Sequence, residues 1–301
     1  MVSLILFGAG ASYGCERASP YCPPHGSGLF DDLQKHYPDV WGTLPGSWRP
    51  KFVPNFEPGM KELWDSGSHD TPVFMRCMAD YFARFRPLPG SAYHRLLEHL
   101  DAHGSLAGTF FSTLNYDCLL EYAGRQFRPT IQYFSTDPTG SAALTVWKIH
   151  GSCNFLPASV SGAASAVSYA ASSVSWDGEM TIVDASQVGP FVAESAFYPA
   201  MSVFMEGKPV HSHHSHIKQL QSWWADAVAR ADVVGLIGVR PNQADEHIWQ
   251  PLAKTAADLV VIGNRNDYEQ WAAARRAKRS TRIVGDRFAR DLASFAETFA
   301  S

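Results

Sequence analysis

A glycine-rich turn follows the first apolar run of the chain. Residues 8–12 read Gly-Ala-Gly-Ala-Ser and come directly after the run VSLILF, which has the character of a buried strand. Glycines let backbone amides approach a pyrophosphate, and the N-terminus of a following helix favours its negative charge. The fingerprint G-x-G-x-x-G would need a glycine at Tyr13, so a tight strand-to-helix turn stays an alternative. The candidate cofactor-binding residues of this turn are Gly8, Ala9, Gly10 and Ser12.

Two further polar sequences follow later apolar runs. Asn115 and Asp117 come after the run at 108–112, and they could hold a water molecule and a ribose hydroxyl. One of the two could instead cap a helix over residues 118–123. His150 follows the run at 145–149 and could act as a general base near neutral pH, or it could be a structural histidine.

The elements that must position these residues are short apolar runs alternating with helical patterns. The runs cover residues 2–7, 108–112, 145–149, 232–239, 258–262 and 281–284. Helices are predicted at 217–228, 269–278 and 286–299 from their apolar spacing. This alternation predicts an α/β, Rossmann-like parallel sheet with helices on both faces, which brings the carboxyl ends of the strands to one edge.

Two stretches interrupt the alternation. Residues 29–107 are mostly helical in pattern, with prolines at turns, and we interpret them as a helical insertion that forms a smaller lobe. Residues 158–175 are rich in Ala, Ser and Val and are either a mobile loop or a weak hairpin. We therefore expect one domain over 1–301, carrying this helical insertion and a flexible Ser/Ala-rich loop.

Composition excludes several classes of protein. The chain has 301 residues, 46% of them hydrophobic, and a net charge of −4, which argues against disorder and against an electrostatically driven nucleic-acid binder. The five cysteines form no C-x-x-C pair, so a disulfide framework and a four-cysteine zinc site are not expected. No apolar stretch is long enough to span a membrane. The expected location is a reducing cytoplasm.

Four histidines lie close together ahead of the helix predicted at 217–228. They are His211, His213, His214 and His216. Metal binding is conceivable, but no cysteine or carboxylate joins them in sequence. We therefore favour a solvated loop.

Taken in order, the polar motifs resemble the sirtuin family, and more closely its sirtuin-like branch in prokaryotic defence proteins. The motifs are G-A-G-A-S, T-x-N-x-D starting at Thr113 and K-x-H-G-S starting at Lys148. Residues 235–239, followed by Asp-Glu-His-Ile at 245–248, are similar to the branch's IGYS…D-x-H-I segment. Asn264 ends a segment that looks like the one holding an adenosine ribose in sirtuins, and Asp286 falls where the adenine end would close.

The resemblance implies a set of site residues around NAD, which would be the substrate, with no metal expected. The implied cofactor-binding residues are Gly8, Ala9, Gly10, Ser12, Thr113, Gly238, Asn264 and Asp286, and the implied catalytic residues are Asn115, His150 and Asp117. Asn115 would orient a water molecule, and His150 would accept a proton from a ribose hydroxyl or from that water. Asp117 would stabilise the ribosyl cation or hold the nicotinamide amide.

Departures from protein-deacylating sirtuins narrow the implied activity. The chain lacks the G-I-P-D-F-R sequence after the glycine turn and the four-cysteine zinc module that forms half of a peptide groove. Leu114 stands where sirtuins have the Gln of T-Q-N-I-D, and Gly-Val-Arg at 238–240 replaces their G-T-S loop. An NAD site without a peptide groove suits the hydrolysis of NAD to ADP-ribose and nicotinamide.

The branch further implies an antiviral effector that depletes NAD once it is activated. It would act as a homo-oligomer, with a separately encoded partner such as a HerA-like ATPase or a short Argonaute, or both. A non-catalytic module that binds NAD or ADP-ribose and regulates a partner is one alternative. An NAD-dependent deacylase or ADP-ribosyltransferase is another.

Overall fold

The protein is described here as a computed structural model. The described residues are 2–53, 55–67, 70–138, 142–158, 167–170, 173–203, 212–275 and 280–299. The strands are β1 (Ser3–Phe7), β2 (Ala18–Ser19), β3 (Arg86–Pro87), β4 (Thr109–Thr113), β5 (Thr130–Gln132), β6 (Ala143–Lys148), β7 (Phe155–Pro157), β8 (Val167–Ala170), β9 (Ser173–Trp176), β10 (Met180–Ile182), β11 (Val233–Ile237), β12 (Asp258–Ile262) and β13 (Thr281–Gly285). The α-helices are α1 (Ala9–Tyr13), α2 (Gly26–His36), α3 (Arg49–Phe52), α4 (Phe56–Asp65), α5 (Thr71–Ala83), α6 (Ala92–Ala102), α7 (Leu119–Gly124), α8 (Val188–Glu194), α9 (His214–Arg230), α10 (Glu246–Lys254), α11 (Arg265–Ala273) and α12 (Phe288–Ala296).

Seven parallel strands form the central sheet, in the order β13-β12-β11-β1-β4-β6-β5. All five residues of β1 and all five of β11 are buried, as expected for parallel strands covered on both faces. The predicted α/β fold is confirmed, and each of the six predicted apolar runs coincides with a strand to within two residues. The sequence missed β5, because this edge strand is only three residues long and half exposed.

Helices surround the sheet in packed groups. Helices α6 and α12 contact each other, and α6 also contacts α7. Helices α9 and α10 contact each other, and α9 also packs on β6. The apolar face predicted for α9 is buried. Helix α11 begins earlier than predicted because Asn264 caps it by accepting a hydrogen bond from the backbone N–H of Asp267 (3.1 Å).

Helices α2, α3, α4 and α5 form the smaller lobe by packing on one another. Stacked and edge-on aromatic rings fill its centre, with ring centroids 4.5 Å apart for Phe30 and Phe52 and 5.0 Å apart for Trp41 and Phe74. Trp41 is completely buried. This aromatic cluster is the part of the protein's continuous hydrophobic core that lies in the lobe.

The Ser/Ala-rich stretch contains an antiparallel hairpin. Strands β8 and β9 pair from Val167 opposite Trp176 to Ala170 opposite Ser173. Of the two alternatives left open by the sequence, the hairpin is the one observed here, while residues 159–166 and 171–172 lie outside the described residues. Within the described ranges, no helix combines the length and the apolar character needed to cross a bilayer.

The turns that follow β1 and β11 touch backbone to backbone. The amide of Gly8 donates to the carbonyl of Ile237 (2.9 Å), and the amide of Gly10 donates to the carbonyl of Gly238 (3.0 Å). Gly238 has a φ of +63°, and a Cβ added there would lie 2.2 Å from the backbone nitrogen of Ala11. Only glycine therefore fits where these two turns meet.

We expect Gly238→Ala to lower the free energy of unfolding by at least about 2 kcal/mol, since an L side chain in the left-handed region costs about 1–2 kcal/mol before any clash. Gly108→Ala is the matched control, because a Cβ at Gly108 meets nothing within 4 Å. Urea unfolding followed by circular dichroism measures both. Equal stability of the two variants would contradict the backbone contact.

Candidate functional site

The strands around the centre of the sheet end at one level. In the parallel register, Phe7 lies opposite Ile237 and Thr113, Thr113 lies opposite Lys148, and Ile237 lies opposite Ile262. The polar motifs begin immediately after these positions. The polar motifs therefore all lie at the carboxyl edge of the sheet.

A cavity of about 660 Å³ lies at this edge, between the strand ends and the helical lobe. Ten of the eleven predicted site residues line it: Gly8, Ala9, Gly10, Ser12, Asn115, Asp117, His150, Gly238, Asn264 and Asp286. Leu29, Asn55, Glu57 and Phe82 line it from the lobe. Its volume lies within the roughly 300–1,000 Å³ that is typical of small-molecule sites.

The cavity sits at the point where the strand order reverses. The chain leaves β1 for β4 on one side and later returns to β11 on the other side. Ligands of open α/β sheets bind in the crevice outside such a reversal. The fold and the cavity thus define an α/β protein with a candidate ligand site at its topological switch point.

A buried hydrogen-bond network joins the glycine turn to the second motif. The side-chain amide nitrogen of Asn115 donates to the carbonyl of Gly8 (2.9 Å) and to Oγ of Ser12 (2.8 Å). Ser12 donates its own proton to Oδ2 of Asp117 (2.8 Å), so the hydroxyl of Tyr93, 3.0 Å away, donates to Ser12. Ser12 and the amide nitrogen of Asn115 therefore join the two motifs, and both of these hydrogen bonds leave Oδ1 of Asn115 unused.

In the structure, Gly8 and Gly10 are required by close packing against the turn that follows β11, and not only by the approach of a phosphate. A Cβ at Gly10 would lie 2.8 Å from Cα of Gly238, and one at Gly8 would lie 2.6 Å from the carbonyl oxygen of Gly238. Both glycines are needed for packing against the next turn, whether or not a phosphate binds. Helix α1 has only five residues, so its dipole adds little to anion binding.

Asp117 is buried, and both of its carboxylate oxygens accept hydrogen bonds. Oδ2 accepts from Ser12, and Oδ1 accepts from the backbone N–H of Leu119 (3.1 Å). The capping alternative raised by the sequence therefore applies to Asp117, at the start of α7. Burial raises the pKa of this carboxyl, and the positive charge of Lys148 opposes that rise.

Lys148 carries a positive charge beneath the site. Its Nζ lies 3.0 Å from Oε1 of Glu121 and donates to the backbone carbonyl of Asp117, and the side chain is completely buried. Burial alone would lower the pKa of Lys148, but Glu121 and Asp117 outweigh that effect and raise it. Burial raises the pKa of Glu121. One ammonium group thus balances two buried carboxyl groups.

His150 contacts a second histidine. Its Nε2 lies 2.8 Å from Nε2 of His247, and Asp245 completes a set of three side chains whose ligand atoms lie within 4.8 Å of one another. Two imidazole nitrogens on one tetrahedral zinc ion, each about 2.0–2.1 Å from the metal, would lie roughly 3.3 Å apart. The observed 2.8 Å is a hydrogen-bond distance.

The remaining predicted residues lie around the far end of the cavity or behind it. Thr113 is buried, and its Oγ1 accepts from the backbone N–H of Asn115 (3.0 Å), so it shapes the turn and does not line the cavity. Asn264 caps α11, and Asp286 pairs with Arg290. A second cavity of about 360 Å³ adjoins the first there and shares Gly263, Asn264 and Asp286 with it.

Sequence reasoning missed three features of the site. It gave no role to the ion pair of Lys148 and Glu121, although Lys148 belongs to one of the motifs. The motif that contains Asp245 and His247 gives no sign in the sequence that it lies against His150. The lobe residues that wall the cavity had no sequence signal, because the lobe reaches the site only through tertiary packing.

The histidine group ahead of α9 differs from the solvated loop we expected. His213 is 1% exposed, and its Nε2 lies 3.1 Å from the carbonyl oxygen of Glu179. His214 and His216 belong to α9 and lie 3.6 and 3.9 Å from the carboxylate of Asp177. His211 lies outside the described residues. The carboxylate that joins these residues is distant in sequence, so the pattern could not reveal it.

Comparison of the sequence with protein families and with curated proteins gives no match. Among solved structures, a complex of Sir2 with a p53 peptide and NAD+ is similar over 99% of this chain and 91% of that one, with 13% identity and a TM-score of 0.40. A complex of Sir2 with an inhibitor, 2′-O-acetyl-ADP-ribose and a deacetylated p53 peptide is similar over 100% and 95%, with 14% identity and a TM-score of 0.43. Sir2 bound to an acetylated peptide is similar over 100% and 94%, with 12% identity and a TM-score of 0.41.

We expect Lys148→Met to lower the free energy of unfolding by about 3–5 kcal/mol at pH 7.5, because it leaves Asp117 and Glu121 buried without a counter-charge. Without the ammonium group, the carboxyl pKa values rise further above their unfolded values. The folded variant then binds protons that the unfolded chain releases, so its stability falls as the pH rises above about 4. The deficit relative to the wild type should therefore be smaller at pH 5 than at pH 7.5.

Glu121→Gln in the Lys148→Met background is the matched control, since it removes one of the two uncompensated carboxylates. It should recover part of the lost stability at pH 7.5. Urea unfolding at the two pH values measures these differences. A Lys148→Met variant as stable as the wild type at both pH values would refute the charge balance.

Proposed function

We propose that this chain binds NAD+ in the cavity at the switch point and hydrolyses the bond between nicotinamide and ribose. The observation that carries the proposal is the convergence of ten residues, chosen from sequence motifs, on one cavity at the carboxyl edge of the sheet. Those motifs lie far apart in the chain. A packing requirement alone would explain each turn but not their common orientation toward a space of ligand size.

The dinucleotide would lie along the strand ends. The pyrophosphate would sit on the turn of Gly8 and Gly10, and the adenosine would extend toward Asn264 and Asp286, where the second cavity adjoins the first. The nicotinamide ribose would then face Asn115 and the imidazole of His150. Asn115 and His150 follow strands β4 and β6, which are neighbours in the sheet.

Hydrolysis needs a water molecule and a base at the anomeric carbon. The bond from C1′ to the nicotinamide nitrogen breaks with its electron pair going to nicotinamide, through a state with oxocarbenium character. Oδ1 of Asn115 would orient the water whose oxygen bonds to C1′, and His150 would accept the proton that this water loses, an effect worth about 10²–10⁴-fold in rate. Asp117 would act by holding Ser12, because both of its oxygens already accept hydrogen bonds.

Two alternatives predict different products. A non-catalytic module would bind NAD+ or ADP-ribose and release no nicotinamide. A deacylase or ADP-ribosyltransferase would release nicotinamide only together with an acyl or protein acceptor. The thiols of Cys15 and Cys22 lie 3.4 Å apart and those of Cys118 and Cys153 lie 3.8 Å apart, so these cysteines form two separate pairs. That arrangement does not supply the zinc module of a peptide groove and favours water as the acceptor.

The resemblance to the defence branch supports a further proposal, that the protein acts against phage infection in the cell. Active protein would deplete NAD during phage infection, and its activity would depend on assembly with itself or with a HerA-like ATPase or short Argonaute. Phage challenge of cells carrying the wild-type gene or a His150→Ala gene, with cellular NAD measured over time, tests this role. Protection without a fall in NAD would count against it.

His150→Ala should reduce nicotinamide release from NAD+ by at least about 100-fold while the protein remains folded, because the variant lacks the proposed base. His103→Ala is the matched control. His103 is exposed near the end of α6, away from the cavity, and should keep the wild-type rate. Chromatography of nicotinamide and ADP-ribose measures the rate, and circular dichroism verifies folding.

Wild-type turnover by folded His150→Ala would rule out the role of His150. Absence of nicotinamide release from wild-type protein under all activating conditions, with NAD+ still bound by calorimetry, would favour the non-catalytic alternative. Release that needs an acetylated peptide would favour the deacylase.

We expect the specific activity of the purified chain to rise with protein concentration or on adding a co-encoded partner. The lobe residues Leu29, Asn55, Glu57 and Phe82 wall the cavity, so contacts that hold the lobe against the sheet would exclude water from the site. A shift of about 3 kcal/mol would raise an active population of roughly 1% to a majority. Constant specific activity across dilution in a sample that light scattering finds monomeric would contradict this regulation.

A further inference from the structure

Two of the five cysteines, Cys15 and Cys22, face each other beside the cavity. Their Sγ atoms lie 3.4 Å apart. Cys15 follows helix α1 and is completely buried, whereas Cys22 is partly exposed. The sulfur atoms of a disulfide lie about 2.0 Å apart, so a movement of roughly 1.4 Å would join these two. The pair thus combines a thiol that solvent can reach with a second thiol close enough to bond to it after a small shift.

Neighbouring structure holds both ends of the segment that joins the two cysteines. The carbonyl of Cys15 accepts from the backbone N–H of Ala92 (3.1 Å) at the start of α6. Between the cysteines, β2 pairs with β3. Beyond Cys22, the ring of His25 packs on that of Tyr13 in α1, with centroids 3.9 Å apart. The two sulfur atoms are therefore kept near each other by contacts outside the pair.

The two thiols lie in different electrostatic surroundings. The backbone N–H groups of Glu16 and Ala18 donate to the sulfur of Cys22, at a turn in which Glu16 has a φ of +64°. Backbone N–H groups that converge on one atom favour a negative charge there. For Cys15, the hydrogen bond with Cys22, burial and the negative charge of Asp117 all raise the pKa of the thiol.

Cys22 is therefore the thiol of the pair that ionises first. The hydrogen bond with Cys15, helped by the two backbone N–H groups, outweighs partial burial and lowers the pKa of Cys22 to about 7. A thiolate has no proton to donate, so in this state the S–H of Cys15 donates to Sγ of Cys22. The thiolate is the form of cysteine that attacks electrophiles, and Cys22 presents it near neutral pH.

We propose that Cys15 and Cys22 are a redox pair, in which a hydroperoxide oxidises the thiolate of Cys22 and the thiol of Cys15 then closes a disulfide. A reactive, accessible cysteine beside a second cysteine is the arrangement found in redox sensors. The disulfide would tie the cavity-lining residues Pro23, Pro24 and His25 to the segment that follows α1. The assignment does not depend on the proposed NAD+ chemistry.

The reaction consumes one hydroperoxide for each disulfide. The thiolate of Cys22 attacks the O–O bond, an S–O bond forms, and the departing oxygen takes a proton and leaves as water or an alcohol. The sulfur of Cys15 then attacks the sulfenic acid on Cys22, an S–S bond forms, and the hydroxyl leaves with the proton of Cys15 as water. Two electrons pass from the sulfur atoms to the peroxide. A small dithiol returns both cysteines to the reduced state.

The first test compares two cysteines of the unmodified chain. Cys77 is the matched control, because it is also partly exposed, but burial raises the pKa of its thiol to about 11. At pH 7.5, iodoacetamide should alkylate Cys22 of the native protein at least about tenfold faster than Cys77. Mass spectrometry of the digested protein measures both rates. Equal rates at the two cysteines would overturn the assignment of Cys22 as the reactive thiolate.

The second test identifies the disulfide. Hydrogen peroxide should consume two of the five thiols and link Cys15 to Cys22, and dithiothreitol should restore both. Cys77→Ser should form the same disulfide at the wild-type rate. The thiols of Cys118 and Cys153 lie 3.8 Å apart but are both buried, so they should stay reduced. Oxidation that leaves Cys15 and Cys22 unlinked, or that links Cys118 to Cys153 first, would overturn the proposal.

Two variants separate the roles of the two sulfur atoms. Cys15→Ser keeps a hydroxyl that can donate to Cys22 but cannot form a disulfide, so peroxide should leave a sulfenic acid on Cys22 that dimedone labels. In Cys22→Ser the remaining thiol is buried, and peroxide should oxidise Cys15 at least about tenfold more slowly than in the wild type. Circular dichroism verifies that both variants are folded. Wild-type oxidation of Cys15 in Cys22→Ser, or no dimedone label in Cys15→Ser, would contradict the proposed roles.

Discussion

The contact between the glycine turn after β1 and Gly238 after β11 is the constraint on which the site depends. These turns leave adjacent strands at the switch point, and each would fill the same space if it carried side chains. Their direct backbone hydrogen bonds close the base of the cavity. Once that base is fixed, Asn115 can reach the carbonyl of Gly8 and tie the next strand end to the same turn.

The site contains buried polar groups, and the free energy lost when they leave water is offset by the hydrogen bonds and ion pairs that they form with one another. Ser12, Asn115 and Asp117 satisfy one another, and Lys148 balances the charges of Asp117 and Glu121. Each group would destabilise the fold if it were buried alone. A network of this kind fixes the strand ends relative to one another, as the proposed hydrolysis with its positioned water and base would require.

The helical lobe adds the wall that the sheet cannot provide. An open parallel sheet offers an edge, and a ligand on that edge would face solvent on one side. The lobe packs around buried aromatic rings and supplies Leu29 and Phe82 to the cavity. The polar groups of the cavity thus come from the sheet edge, and part of its apolar wall comes from the lobe.

The sequence by itself determined the sheet, because short apolar runs such as 2–7 and 258–262 alternate with helical patterns, as strands and helices do in a parallel α/β fold. It also determined that the polar motifs share an edge, since parallel strands end together. It could not decide that Gly10 packs against Gly238, that Asp117 caps α7, or that Lys148 pairs with Glu121. Nor could it place His247 against His150, 97 residues away. The local sequence pattern determines secondary structure, because periodicity shows which residues are buried. The contacts between distant residues depend on how the crossover connections place the strands and helices, and this placement exists only in the packed fold.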